Sequence, residues 1–334
     1  MKRTVLREMP DGSVRYVQPY HVSMEGQETV VLCRDEEDYD AMVKIICVCA
    51  KRKNVIVIIY AVVSNHSHIA ILALCQEDAD AFGEEIKRMY SMWFSRKYGR
   101  TGIMRNVDVK AMLLDSDWYT RNALAYVPRN ALDNGCNVDE YPWSGYKAMF
   151  STAPYDGSSA RIIADMTKIE RRAVMHTGDN LTDVRWLADE KGRLIPKSIC
   201  DFEYLEQAFE HDQAYFLKTI GGQNSAEMKH KLIEAPRHML TDNEFLKITE
   251  ENSLRWFSLP IDQISIDRKT RLIPYLFRTV KTTVPQLSRV FGLSREEVSR
   301  ILGRPCPEGT RKELRDRRES ERSDNRGVGG NAPQ

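Results

Sequence analysis

No CxxC pair occurs among the seven cysteines, Cys33, Cys47, Cys49, Cys75, Cys136, Cys200 and Cys306. An odd count without ribbon spacing excludes a disulfide framework and a zinc ribbon, and predicts reduced, mostly buried thiols in a cytosolic setting. An excess of one charge is also lacking: 49 Lys and Arg against 48 Asp and Glu leave a net charge of +1. The whole chain is therefore no polycation, and any nucleic-acid footprint must be local. No apolar run reaches membrane length unbroken; residues 55–74, the most apolar stretch, are interrupted by Ser64, Asn65, His66, Ser67 and His68. The opening residues, Met1 to Glu8, carry no apolar core of signal-peptide length. Neither a Walker loop nor a Rossmann glycine motif is present, so no nucleotide cofactor is expected. No internal repeat is visible.

What the chain does have is an alternation of strand and helix patterns over its first 150 residues. Residues 17–24 and 29–33 read as strands joined around Glu25-Gly26-Gln27. Asp35, Glu36, Glu37 and Asp38 crowd the first turn of a helix whose far end is Lys51-Arg52-Lys53, the charge order a helix dipole favours. Residues 55–64 and 66–74 follow as adjacent strands, then a helix over 77–98, a strand over 107–114 and a helix that Asp115, Ser116 or Asp117 can cap. These elements predict an α+β domain: an antiparallel sheet with helices on one face and an added helix. Within the fourth strand, His66 and His68 project to the same side about 7 Å apart, close enough to share a metal ion. On the later helix, Tyr126 and Asn130 are i and i+4 and share a face.

Four stretches, in order, carry a resemblance. They are Tyr20-His21-Val22, Asn65-His66-Ser67-His68, the stretch from Asp115 through Tyr126 to Asn130, and Tyr141-Pro142-Trp143-Ser144-Gly145-Tyr146, with Tyr98-Gly99-Arg100-Thr101-Gly102 between the second and third. Together, over about residues 15–150, they resemble the HUH single-tyrosine transposases, in particular the REP-associated tyrosine transposases of bacteria. The resemblance implies a ferredoxin-like or RRM-like sheet and a metal-dependent single-strand DNA endonuclease and strand transferase acting at hairpin-type DNA. It implies Tyr126 as the nucleophile that becomes a 5′-phosphotyrosine, and His66, His68 and Asn130 as ligands of Mg²⁺ or Mn²⁺. Tyr119 and Asn122, on the same helix, are alternatives for these roles, and His21 reads as structural. Two departures stand out. Ser67 replaces a bulky hydrophobe between the histidines, and Pro128 falls inside the Tyr126 helix, where a kink is expected.

Residues 151–264 read as a mostly helical connecting region to which no chemistry is assigned, with a turn-rich boundary at 152–159 and an ordinary turn at His176 to Asn180. From 265 to 304 nine basic side chains stand against three acidic ones. Leu287, Phe291, Leu293, Val298 and Ile301 there hold the apolar positions of a helix-turn-helix with Gly292 at its turn. Ser294, Arg295, Ser299 and Arg300 are the expected duplex-DNA contacts, and Arg96, Lys97, Arg100 and Arg105 the expected contacts near the sheet domain. Residues 305–334 read as a disordered tail. The expected protein is a cytoplasmic, nucleoid-associated bacterial monomer or homodimer with no membrane partner. A catalytically degenerate DNA-binding regulator of the same fold is the alternative, and an RNA-binding RRM-like domain would want more strand aromatics than Tyr60.

Overall fold

The computed structural model describes residues 4–25, 30–151, 160–222, 240–280 and 282–303. The expected Glu25-Gly26-Gln27 turn, the boundary at 152–159, Cys306 and the tail lie wholly or mainly outside them. The chain divides into two compact units, Met1–Lys247 and Ile248–Gln334.

In the first unit, strands β1 (Val5–Glu8), β2 (Val14–Glu25), β3 (Ile56–Val62), β4 (Ser67–Ala73) and β5 (Asp108–Leu113) form one antiparallel sheet. Strand β2 is central: it pairs with β4 on one edge and with β5 on the other, β3 flanks β4, and β1 joins the first residues of β2. Helix α1 (Glu36–Arg52) connects β2 to β3, and α2 (Gln76–Tyr98) connects β4 to β5. The β-α-β-β-α-β order with the strands arranged β5-β2-β4-β3 is the ferredoxin-like arrangement, and the fold class is α+β as the residues predict.

The local causes are legible. Asp35 caps α1 by accepting from the Asp38 amide at 3.0 Å, with acids in the first turn and Lys51 and Arg52 in the last. Gly99 ends α2 in the left-handed conformation at φ 64°. Gly83 on α2 has Val109 and Val22 against it so closely that a Cβ would stand 2.3 Å from a Val109 methyl, so α2 lies on the sheet face that Val22 presents. Helix α3 (Asp117–Asp133), capped by Ser116, packs on β3 and β4 from the other face. It continues as one helix through Pro128, so Tyr126 and Asn130 stay on a single element.

Two expectations are corrected. Residues 31–33 form no strand; instead the amides of Leu32 and Cys33 donate to the Ser64 carbonyl at 2.7 and 2.9 Å, which satisfies the β3–β4 turn from outside the sheet. Residues 160–222 are not a separate connector. Ile163, Met166, Leu181 and Leu194 bury against Cys47 and Val48 of α1 within the same unit. There α4 (Lys168–Met175), α5 (Pro196–Ile199), α6 (Phe202–Ala208) and α7 (Gln213–Gly222) accompany a short β6–β7 pair, Arg161–Ile162 with Leu187–Ala188. The described cysteines are free thiols, four of them buried, with Cys75 exposed and Cys136 half-buried. No helix among the described residues is long and apolar enough to cross a membrane.

Helix α8 (Asp242–Phe257) begins in the first unit, and the second unit holds α9 (Ile266–Thr279), α10 (Val284–Phe291) and α11 (Arg295–Ile301). Gly292 turns α10 into α11 at φ 64°, and Ser294 caps α11 in a reciprocal box with Glu297. Leu287, Phe291, Leu293 and Val298 are buried as predicted, together with Leu272, Ile273 and Leu276 of α9, while Ile301 is half-buried.

Candidate functional site

The β3–β4 turn is built to hold still. The Val63 amide donates to the His66 carbonyl at 3.0 Å, and the buried Ser64 hydroxyl bonds the Asp242 carboxylate. The far side of this hairpin is closed by the Tyr141-to-Tyr146 motif. Tyr141 Oη donates to the Val62 carbonyl at 2.7 Å, the Val62 amide donates to the Trp143 carbonyl at 2.9 Å, and Trp143 stacks on Tyr39 at 5.3 Å. Gly145 is pressed against Tyr60 N and Ile59, where a Cβ would come within 3.3 Å of each, which explains glycine at that place. This motif is scaffold; it covers the free edge of β3.

Register then decides what meets what. His68 sits opposite Ser23 of β2, and His21, two residues earlier on β2, sits opposite Ala70. Both histidines therefore face α3, because residues two apart on a strand share a face. The His68 ring lies 4.9 Å from that of His66 and 4.9 Å from that of Tyr126, edge to face in each case. His66 Nε2 is 3.4 Å from Asn130 Oδ1. The predicted quartet of His66, His68, Tyr126 and Asn130 is thus gathered in one place, although its two halves are some sixty residues apart.

Its hydrogen bonding is directional. Asn130, 1 % exposed, donates through Nδ2 to the carbonyls of Tyr126 and Val127 at 2.9 and 3.2 Å, so its Oδ1 is held toward His66. His66 Nδ1 lies 2.9 Å from Asn65 Oδ1, an acceptor that the ring can satisfy only in its Nδ1–H tautomer. In that tautomer the Nε2 lone pair faces the amide oxygen of Asn130, and a proton or a cation between them makes the contact favourable. Burial first, and the neighbouring imidazoles His66 and His21 second, push His68 well below the usual histidine range, so it stays neutral and able to donate a lone pair. Two imidazole nitrogens and one amide oxygen suit a divalent ion that takes its other ligands from water or phosphate. Among the described residues no group of three or more His, Cys, Asp or Glu side chains is placed to hold a metal, and His21 Nε2 lies 3.2 Å from His68 Nδ1.

The alternatives Tyr119 and Asn122 point elsewhere, Tyr119 Oη to the Met112 sulfur at 3.9 Å and Asn122 Nδ2 to the Trp118 carbonyl at 2.9 Å. Arg129 carries no role in the sequence reading, and His21 only a structural one. Arg129 holds its guanidinium 6.0 Å from the Tyr126 ring centroid, a contact the i, i+3 spacing on α3 already allowed. His21 faces the Tyr126 ring at 6.2 Å as well as His68, a contact set by strand register that no spacing reveals.

The expected DNA contacts divide. Arg96 and Arg105 line a groove of about 670 Å³ beside α2, with Lys87, Arg88, Ser91 and Thr101; Arg100 is exposed nearby in the sequence. Lys97 does not join them. Its ammonium is held by Asp35, Glu37 and Asp38 at 2.6, 2.9 and 2.9 Å and lies over the Tyr98 ring, so it ties α2 to the start of α1. In the second unit Arg300 is exposed and Arg295 half-exposed, but Ser299 is 2 % exposed and packs inside the hairpin, while Ser294 Oγ is occupied by its cap. Ser299 is therefore corrected from a surface contact to a packing residue.

No family model matches this sequence, and no curated protein does. Among solved structures, one described as "Structure of the REP associates tyrosine transposase bound to a REP hairpin" is similar to 38 % of this chain and 74 % of its own, at 15 % identity and a TM-score of 0.30.

Proposed function

We propose that the first unit is a metal-dependent single-strand DNA endonuclease and strand transferase of the HUH single-tyrosine type, with Tyr126 as nucleophile. The observation that carries this reading is the meeting of the Tyr126 ring with the neutral His68, 4.9 Å away, while Asn130 Oδ1 stands 3.4 Å from His66 Nε2. A divalent ion held by His66, His68 and Asn130 would polarise the scissile phosphate and stabilise charge on the departing 3′ oxygen. The chain's own residues do the rest. Asn130 is pinned by the carbonyls of its own helix, so its oxygen is in place before substrate arrives. Tyr126, half-buried on α3, loses its phenolic proton to solvent and attacks phosphorus; the Oη–P bond forms as the P–O3′ bond breaks, and the 3′ oxygen leaves as a hydroxyl after taking a proton from water. The resulting phosphotyrosine keeps the energy of the broken bond for rejoining. Arg129 supplies a cation beside the phenol, suited to a non-bridging phosphate oxygen.

The resemblance of the motifs supports hairpin-type DNA as the substrate. The groove of Arg96 and Arg105 suits a phosphate backbone, and the second unit, through Arg295 and Arg300, suits duplex DNA. The regulator reading draws on Pro128; the continuity of α3 through it, with Tyr126 and Asn130 both beside the histidines, supports the catalytic reading instead.

The test is direct. Labelled single-stranded hairpin DNA is incubated with the full chain and Mn²⁺, and a covalent adduct is sought on a denaturing gel. An adduct with the wild type that disappears in Tyr126→Phe is expected. No adduct with the wild type, or an adduct that persists in Tyr126→Phe, overturns the proposal.

A further inference from the structure

We propose that His21 is a positioning residue that fixes the tautomer of His68, so that His68 presents a lone pair from Nε2. The inference rests on the ligand role given to His68 above. It starts from one contact, His21 Nε2 to His68 Nδ1 at 3.2 Å, between rings stacked at 5.2 Å with an interplanar angle of 22°.

A neutral imidazole carries one proton and one lone pair, on different nitrogens. With Nδ1 facing His21, the nitrogen left to His68 is Nε2. If Nδ1 accepts, Nε2 bears the proton and His68 can hold no cation. If Nδ1 donates to His21, Nε2 is the bare nitrogen and the ring is a ligand. His68 is 5 % exposed, so water cannot level the two forms, and the partner at Nδ1 decides between them. His21 is the less buried ring, and the form complementary to a donating His68 carries its own proton on Nδ1.

The arrangement at His66 is the same in kind. Asn65 Oδ1 lies 2.9 Å from His66 Nδ1, where it can accept a proton from the ring, and Nε2 faces Asn130. Each histidine of the pair thus has an outer partner at Nδ1 and an inner nitrogen at Nε2, the pattern by which outer groups orient metal-binding imidazoles. Strand register supplies the His68 partner: His21 and Ser23 share the face of β2 that lies against His68. A histidine at this place satisfies His68 without adding a charge to the site.

The experiment uses the full chain labelled with ¹⁵N-histidine. Ring ¹⁵N–¹H correlation spectra without metal read which nitrogen of His68 bears the proton, with His68→Gln used to assign its signals. Mn²⁺ affinity is measured alongside by calorimetry. The wild type is expected to show His68 as a single Nδ1–H form. His21→Phe, which keeps ring size but cannot accept, is expected to mix the two forms and to weaken Mn²⁺ by roughly ten- to a hundred-fold. His21→Gln, whose amide oxygen can accept, is expected to restore both. An Nε2–H form in the wild type, or an unchanged Nδ1–H form in His21→Phe, overturns the inference. The tautomer is read without DNA or metal, so a wild type that forms no adduct defeats the nuclease reading and leaves this measurement separate.

Discussion

Asn130 donates through Nδ2 to the carbonyl of Tyr126, one turn earlier on the same helix, at 2.9 Å. The residue expected to bind the ion is thereby fastened to the backbone of the residue expected to react. Truncation should release both. Asn130→Ala is expected to lower Mn²⁺ affinity at least ten-fold in calorimetry while leaving the fold in place. Asn130→Asp is expected to cost about 1–3 kcal/mol of stability, because a carboxylate turns an oxygen toward two carbonyls where an amide donated. Equal Mn²⁺ affinity for Asn130→Ala and the wild type would remove Asn130 from the site.

Pro128 lies between these two residues and breaks nothing, yet it still withholds an amide from the turn before it. Pro128→Ala should therefore stabilise α3, by about 1–3 kcal/mol in denaturant unfolding, and adduct formation should survive. Loss of the adduct in a stabilised Pro128→Ala would show that the proline sets the Tyr126 position.

The sequence made the elements and their faces readable because both rest on short-range spacing. His66 with His68, and Tyr126 with Asn130, are two and four residues apart, and periodicity alone put each pair on one face. Pairing between strands is another matter. The contact of His21 with His68 depends on β2 and β4 lying so that Ser23 opposes His68, and one residue of slip would turn His21 to the α2 side. Lys97 misled for a related reason. A basic helix end looks solvated until the acidic start of α1 is folded against it. Residues 160–222 gave no periodic signal strong enough to show that Ile163 and Leu181 complete the core over α1.

Ser67 is wholly buried on β4, and its hydroxyl finds no partner. Its neighbours His66 and His68 turn to α3, so Ser67 faces the α1 and α2 layer. Removing an unsatisfied buried hydroxyl should help rather than harm. Ser67→Ala is expected to raise the unfolding free energy by about 1 kcal/mol and to leave adduct formation unchanged. A loss of stability would mean that the hydroxyl is satisfied in solution by a bound water.

Lys97 and the groove arginines should separate by assay. The Asp38 carboxylate facing Lys97 is fully buried, so removing the ammonium strands a charge. Lys97→Met is expected to cost about 3 kcal/mol or more in unfolding. Arg96→Ala and Arg105→Ala should leave unfolding within about 0.5 kcal/mol and instead weaken DNA binding and flatten its salt dependence. A Lys97→Met protein as stable as the wild type would refute the structural role.

Glu85 gives the pH dependence a sign. It sits between Arg88, at 2.7 Å, and Arg52 of α1, at 2.6 Å, and so clamps the two sheet-covering helices together. Hydrogen bonding from Arg88 first, and from Arg52 after it, pulls its carboxyl from 4.5 down to about 2. A carboxyl whose pKa is depressed by folding contributes stability that is complete above its unfolded value and is lost as the pH falls toward its folded one. The α1–α2 clamp should therefore hold at pH 5 and above and weaken between about pH 4.5 and 2. Stability measured by denaturant across that range should fall less steeply in Glu85→Gln than in the wild type, because the variant has no proton to take up there. High salt should shrink the difference, since the pair is partly open to solvent. Identical slopes for the two proteins at low salt would show that Glu85 titrates normally and that the clamp contributes nothing.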